Sequence, residues 1–261
     1  MAAPTYVSAS PGTADAAGAW SHTISGTVPA AGRFYIVQIL QDGATNGAIS
    51  AVVGTNIENL AGTDDVWTQI PGTNADGSHP VGASGAARQF LYAGRALSST
   101  NPTISGANST SEDLFIKAVR FDDVSTGTTL GTVIENATAG ATANGVATSA
   151  TAADTGVTTL GVDRLALNFV AVNNDNPIAE FSGQSGGTWV ERYEYPDSAG
   201  TDGCLQLQTA AMASAGTIDG GTASITNSDS WGVVGFALIG TTVEAADRVP
   251  RFSPYPQLLA H

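Results

Sequence analysis

Charge is scarce in this chain, lysine is almost missing, and there is a single cysteine. Only 12% of residues are charged, against an ordinary share of about 25%, and Lys117 is the only lysine beside eight arginines. With 9 basic against 23 acidic side chains the formal charge is −14. No cationic stripe exists that could release counterions from a nucleic-acid backbone, so neither nucleic acid nor an anionic membrane surface is an expected partner. Cys204, alone, cannot form an internal disulfide, and its apolar, strand-like neighbourhood reads as a buried free thiol. No apolar run approaches the roughly 18 residues of a membrane span, so membrane insertion is not expected. Residues 1–17 lack the basic and apolar regions of a signal peptide, which points to synthesis in a cytoplasm without one. Helical periodicity is missing as well: the alanine-rich stretch 137–153 is broken by Gly and Thr and carries no period of 3.6 residues.

What is present points to strands. Hydrophobic residues make up 42% of the chain and there are 31 glycines. The chain can therefore bury a core, yet must coat its surface with Ser, Thr, Asn, Gln and Gly. Glycine supplies the positive φ angles that tight turns demand. Segments rich in β-branched and aromatic residues recur at 33–41 (RFYIVQILQ), 88–97, 113–121, 164–172 (RLALNFVAV), 188–195 (TWVERYEY), 204–211 and 231–239 (WGVVGFALI). Shorter candidates lie at 5–10, 20–28, 49–53, 129–134, 157–160 and 222–226. Several runs are almost continuously apolar, as in strands covered on both sides, whereas 188–195 alternates. Turn dipeptides at Asp76-Gly77, Asn144-Gly145 and Asp219-Gly220, among others, suit antiparallel hairpins. The segments 38–59 and 119–136 echo one another as two similar hairpins. These patterns predict an all-β, antiparallel two-sheet β-sandwich over residues 1–240. Beyond Gly240 the spacing of Pro250, Pro254 and Pro256 forbids helix or central strand, so residues 241–261 are expected to form an extended C-terminal arm. Its Arg251, Phe252, Tyr255, Leu258 and Leu259 suit docking onto a neighbouring subunit or partner.

Residues able to carry chemistry are few and scattered. Gly183-Gln184-Ser185-Gly186-Gly187 fits the G-x-S-x-G pattern, but a strand follows where a nucleophile turn needs a helix, and the only later histidine is His261. His22, His79 and His261 show no metal-ligand spacing, and His22 is expected to point outward from its strand. Asp64-Asp65, Asp122-Asp123 and 173–176 (NNDN) lack the spacing of a calcium loop and read as turns. Glu191 and Glu194, an odd number apart, should face opposite sides of a strand and so cannot form a hydrolase pair; Glu180 with Glu191 is the alternative pairing. The expectation is therefore no catalytic residue, no cofactor and no metal, and hence no enzyme. Trp189, Tyr193 and Tyr195 share a parity that could line up one aromatic face for stacking on a sugar ring, with a buried Trp189 as the other outcome.

The stretch 163–238 carries the motifs DRLALNFVAVNNDN, GTWVERYE, GCLQLQTAAM, IDGGT and SDSWGVVGFAL. In this order they resemble a loosely defined set of tailed-bacteriophage virion proteins of the tail and minor structural type, and the APTYVSAS opening is similar to theirs, so the likeness spans residues 4–239. The resemblance implies a jelly-roll-like sandwich used in capsid decoration, tail decoration or host-facing fibres. It brings no catalytic residue with it. The implied role is a structural virion component that contacts other capsid or tail proteins and assembles as a homo-oligomer. The alternative is a carbohydrate-binding or receptor-binding adhesin that recognises a host-surface glycan.

Overall fold

The computed structural model describes residues 2–241 apart from 16–17, 43–48, 83–86, 110–112, 136–140, 147–150, 154–156, 174–177, 180, 197–202, 213 and 226–228. Among the described residues it is nearly all β, with 64% strand and 2% helix, and the expected antiparallel sandwich is what forms. The first half of the chain runs through β1 (Thr5–Ala9), β2 (Thr13–Asp15), β3 (Gly18–Thr23), β4 (Phe34–Gln41), β5 (Ile49–Glu58), β6 (Asp64–Val66), β7 (Thr68–Ile70), β8 (His79–Val81), β9 (Ala87–Ala96), β10 (Thr103–Asn108) and β11 (Leu114–Asp122). The second half begins with the single helical turn α1 (Leu130–Val133) and β12 (Ile134–Glu135). It continues through β13 (Ala141–Val146), β14 (Thr151–Ala153), β15 (Val157–Thr159), β16 (Arg164–Val172), β17 (Trp189–Pro196), β18 (Cys204–Met212), β19 (Gly216–Ile218), β20 (Thr222–Ser224) and β21 (Ser230–Ile239).

Each large sheet is drawn from one half of the chain. The N-terminal sheet has the order β1-β11-β4-β9-β5-β10-β3, with β2 also on β11, β6 on β5, and β7 and β8 on β9. The C-terminal sheet runs β12-β21-β16-β18-β17, with β13 also on β21. Two short ribbons, β14-β20 and β15-β19, complete the second half.

Strand parity decides where each side chain goes. Along β4, Phe34, Ile36 and Leu40 face the C-terminal sheet. There they join Phe115, Phe121, Leu167, Phe169, Leu205 and Phe236 in a core shared by both halves. Tyr35, Val37 and Ile39 face the other way, into a second core with Trp20, Ile57, Trp67, Phe90 and Ile104. Since β3, β5 and β10 belong to the same sheet, the sheet curls back over its own outer face to close that core. The C-terminal sheet is likewise covered on both sides: Val170, Trp231 and Val233 pack with Ile178, Phe181 and Ile225, while Ala166, Ala210 and Ala237 pack with Val157, Trp189 and Ile218. Burial on both faces explains the continuous apolar runs of β4, β16 and β21. Each large side chain so buried contributes about 1.5–3 kcal/mol.

The shared core is not wholly apolar. Gln38 of β4 donates from Nε2 to Gln89 Oε1 at 2.7 Å and to the Val170 carbonyl at 2.9 Å, and Tyr193 donates its hydroxyl to Gln38 Oε1. Burial raises the Tyr193 pKa well above its ordinary value, so the phenol keeps the proton it donates. These bonds join the two sheets at a defined register, because a slip would leave buried amides unpaired.

Several expectations from the sequence are corrected. The expected strand 129–134 is the helical turn of α1 followed by β12, with the Thr129 N–H donating to Thr132 Oγ1 at 3.2 Å. The segment 20–28 leaves its strand at Thr23. Asn144-Gly145 is not a turn but the middle of β13, opposite Gly232 and Trp231. The two echoing segments are not equivalent hairpins: β4 and β5 are separated by β9, and β11 and β12 lie in different sheets. Among the described residues no helix is long and apolar enough to cross a membrane. The arm residues Arg251, Phe252, Tyr255, Leu258 and Leu259 lie outside the described residues.

Candidate functional site

The outer face of the C-terminal sheet, turned away from the shared core, holds the most concentrated group of polar side chains. Its geometry comes from an irregularity in β17. Glu191 pairs with Gln208 and Tyr193 with Leu207, leaving Arg192 as an extra residue, a β-bulge. The bulge shifts strand parity by one. Trp189 therefore packs on the outer face, whereas Tyr193 and Tyr195 turn inward to the shared core. The single aromatic row expected from Trp189, Tyr193 and Tyr195 does not form. The same shift brings Glu191 and Glu194, expected on opposite faces, to one face: their partners Gln208 and Gln206 are two residues apart on β18.

Cross-strand register orders this face in rows. One row is Ala237, Ala166, Ala210 and Trp189; the next is Gly235, Asn168, Gln208 and Glu191; a third is Val233, Val170, Gln206 and Glu194. The small side chains of Ala166, Ala210 and Ala237 lie packed with Val157, Trp189 and Ile218. The loop that carries Gly183 and Gly186 lies against Ile218. Gly183 and Gly186 both take φ of +75°, and a Cβ at Gly186 would come within 2.8 Å of the Ile218 Cα and the Thr217 carbonyl. The loop is pinned to the turn between β19 and β20 by reciprocal backbone bonds of Ser185 and Asp219, at 2.9 and 3.1 Å. Ser185 thus belongs to a bridged loop rather than to a strand-to-helix turn.

Phe181, Gln184, Trp189, Glu191 and Gln208 line a recess of about 190 Å³. A chain of amides runs through it. Gln184 Nε2 donates to Gln208 Oε1 at 3.4 Å, Gln208 Nε2 to Gln206 Oε1 at 3.5 Å, and Gln206 Nε2 to Glu191 Oε2 at 3.0 Å. Glu194 accepts the Ile178 N–H at 2.8 Å. Two groups in these rows are left over: the indole Nε1 of Trp189, and both amide atoms of Asn168 at 0% exposure, have no hydrogen-bond partner. Trp189 and Glu191, two residues apart, share a strand parity, a pairing that sequence reasoning did not draw. Asn168, inside the apolar run RLALNFVAV, was a signal that sequence reasoning passed over.

Elsewhere the described basic residues are engaged within the chain. Arg33 and Arg120 both reach Asp122, each at 3.0 Å, and Arg164 reaches Glu135 at 2.7 Å. Arg88 pairs with Asp76, and Arg95 donates to the carbonyls of Ser125 and Gly127 at 2.8 and 2.9 Å. Arg192 bonds Thr209 at 2.7 Å and lies 4.8 Å over the Tyr6 ring. Lys117 sits 5.4 and 5.1 Å over the rings of Tyr193 and Tyr195, and burial lowers its pKa. The two described histidines are both buried. His22, expected to point outward, lies 8% exposed beside Ser10 at 3.4 Å, and burial lowers its pKa. His79 is 2% exposed. Asp122 is held by its arginines, and Asp65 and Asp123 occupy positive-φ positions with φ of +59° and +58°. Among the described residues no three His, Cys, Asp or Glu side chains gather in a metal-binding group. Cys204 is a buried free thiol. Glu180 lies outside the described residues. No protein-family model, no curated protein and no solved structure matches this chain.

Proposed function

We propose that the protein is a non-catalytic structural component of a tailed-bacteriophage particle, displayed on the capsid or tail and assembled through contacts between its own copies and other virion proteins. The observation that carries this reading is how the chain spends its polar groups. All six described arginines are engaged within the chain, and the exposed residues of β3 and β5 are Gly, Ala, Ser and Thr with a single Val. Four separate cores lie beneath this surface. Such a surface has little long-range steering for nucleic acid and suits repeated docking. The recess beside Trp189 gathers no nucleophile with a base, and Glu194 is committed to the Ile178 backbone, which supports a role without catalysis. The resemblance in residues 163–238 supports the particle assignment.

The test is mass spectrometry and immunogold labelling of gradient-purified particles from a phage whose genome carries this reading frame. A fixed stoichiometric amount in the particle is expected, and particles lacking the protein would overturn the proposal. Removing residues 248–261 should lower occupancy on the particle; full occupancy would remove the docking role of the arm.

A further inference from the structure

We infer that the end of the sandwich from which the C-terminal arm leaves is a docking surface for residues 248–259 of a second copy of this chain. Backbone bonds assemble that end from turns of both halves. The N–H groups of Gly32, Leu97 and Ser125 donate to the carbonyls of Ala96, Asn56 and Ile239 at 2.8, 3.1 and 2.8 Å, and those of Gly240 and Thr241 to Asp163 and Asp123 at 3.2 and 2.9 Å. Arg120 holds the carbonyls of Thr27 and Val28, and Arg164 holds that of Val162. Seven large hydrophobic side chains are exposed among the described residues, and four of them, Val28, Leu97, Leu160 and Val162, stand on these turns. Val28 and Leu160 are 77% and 84% exposed. Val28 also holds φ of +45°, a conformation that a β-branched residue rarely adopts. Exposed apolar side chains gathered at one end, one of them on a strained backbone, mark a contact surface.

Charge, the place where the arm starts and its composition select the occupant. Asp123 is exposed and Asp163 half-buried, and neither joins an ion pair among the described residues. Residues 248–259 (RVPRFSPYPQLL) hold Arg248 and Arg251, the remaining two of the eight arginines, and no carboxylate. In a chain of formal charge −14 this cationic, apolar segment matches an end that offers carboxylates beside apolar side chains. β21 runs toward this end, and Gly240 and Thr241 carry the chain past it, bridged to Val124 and Ala2. Turning back onto the same end requires a reversal, yet residues 242–261 contain neither glycine nor asparagine. Pro250, Pro254 and Pro256 favour extended backbone at their own positions and at the residues before them. At about 3.1 Å per residue the segment beyond Thr241 spans about 60 Å, against a radius of gyration of about 18 Å for a body of this length. A second copy is within that reach, and reciprocal exchange of arms closes a two-fold pair.

The inference deepens the reading that the protein assembles through its own copies, and the test uses the isolated full chain without particles. Sedimentation velocity should show concentration-dependent pairing that is lost when residues 248–261 are removed. Leu160→Asp should weaken pairing at least about tenfold. Val28→Asn suits the positive φ better than valine does, so it should keep or raise the melting temperature while weakening pairing, a combination that damage to the fold does not produce. Mixing the truncated chain, whose end is intact, with Leu160→Asp, whose arm is intact, should give mixed pairs in excess of what either forms alone. A full chain that stays monomeric overturns the proposal, as does pairing that survives truncation or both substitutions. A mixture without mixed pairs, the result for an arm folded onto its own copy, overturns it too. A chain found in particles yet monomeric in isolation fails this proposal alone; one that exchanges arms but is missing from particles fails the particle reading alone.

Discussion

His79 brings its imidazole into a strand position that is 2% exposed, where the Ile70 backbone favours the protonated ring but does not offset burial. Burial lowers its pKa from 6.5 to about 4. Above pH 6.5 the ring is neutral in both states and its contribution to stability is complete. Between pH 6.5 and about 4 the unfolded chain takes up a proton that the folded chain refuses, so stability falls as the pH falls, by up to about 3 kcal/mol. Urea denaturation at pH 7 and pH 4.5 measures this. The unaltered protein should lose about 2–3 kcal/mol more than His79→Leu across that interval, and equal losses would refute the assignment. Burial of His22 was within reach of the sequence, since parity along β3 puts it on the same side as Trp20, a core residue. Its serine partner was not, because Ser10 lies outside any strand.

At the scale of the element, the bulge in β17 decides on which face of the sheet each aromatic residue is buried. Without Arg192 as the extra residue, Trp189, Glu191, Tyr193 and Tyr195 would share one face; with it, the tyrosines serve the shared core and Trp189 the recess. The bulge also disturbs pairing along an edge strand whose Glu191, Arg192 and Glu194 already discourage strand addition by another chain. Deleting Arg192 should force either the tyrosines outward or Trp189 inward and cost at least about 3 kcal/mol. Arg192→Ala keeps the residue count and loses only the Thr209 and Tyr6 contacts, about 1 kcal/mol. Denaturation midpoints with near-ultraviolet circular dichroism distinguish the two, and equal costs would show that the bulge does not set the register. The main strands were legible because runs buried on both faces are apolar at almost every position. β10 was not, because in TISGAN only Ile104 and Asn108 are buried. No local pattern marks a bulge, since it follows from what the partner strand presents.

For the whole molecule, the consequence of one sheet per half is interdependence. Phe34, Leu40, Phe115 and Phe121 from the first half and Leu167, Phe169, Leu205 and Phe236 from the second form one core, tied by Gln38, Gln89 and Tyr193. At the junction Gly232 admits β8 so closely that a Cβ there would lie 2.6 Å from the Pro80 carbonyl. Neither half can expose its side of that core to water without losing its main stabilisation. Calorimetry should therefore show one transition with equal calorimetric and van't Hoff enthalpies. Two resolved transitions would mean that the halves fold separately.

Composition and periodicity alone determined the all-β class, the positions of the long strands and the antiparallel two-sheet plan, because burial and turn geometry act on neighbouring residues. Tertiary structure alone decided that each half forms its own sheet, that the first sheet curls to close a second core, and that Trp189 parts company with Tyr193. Those outcomes depend on which strand lies beside which, and long-range pairing leaves no local mark on a strand's own residues.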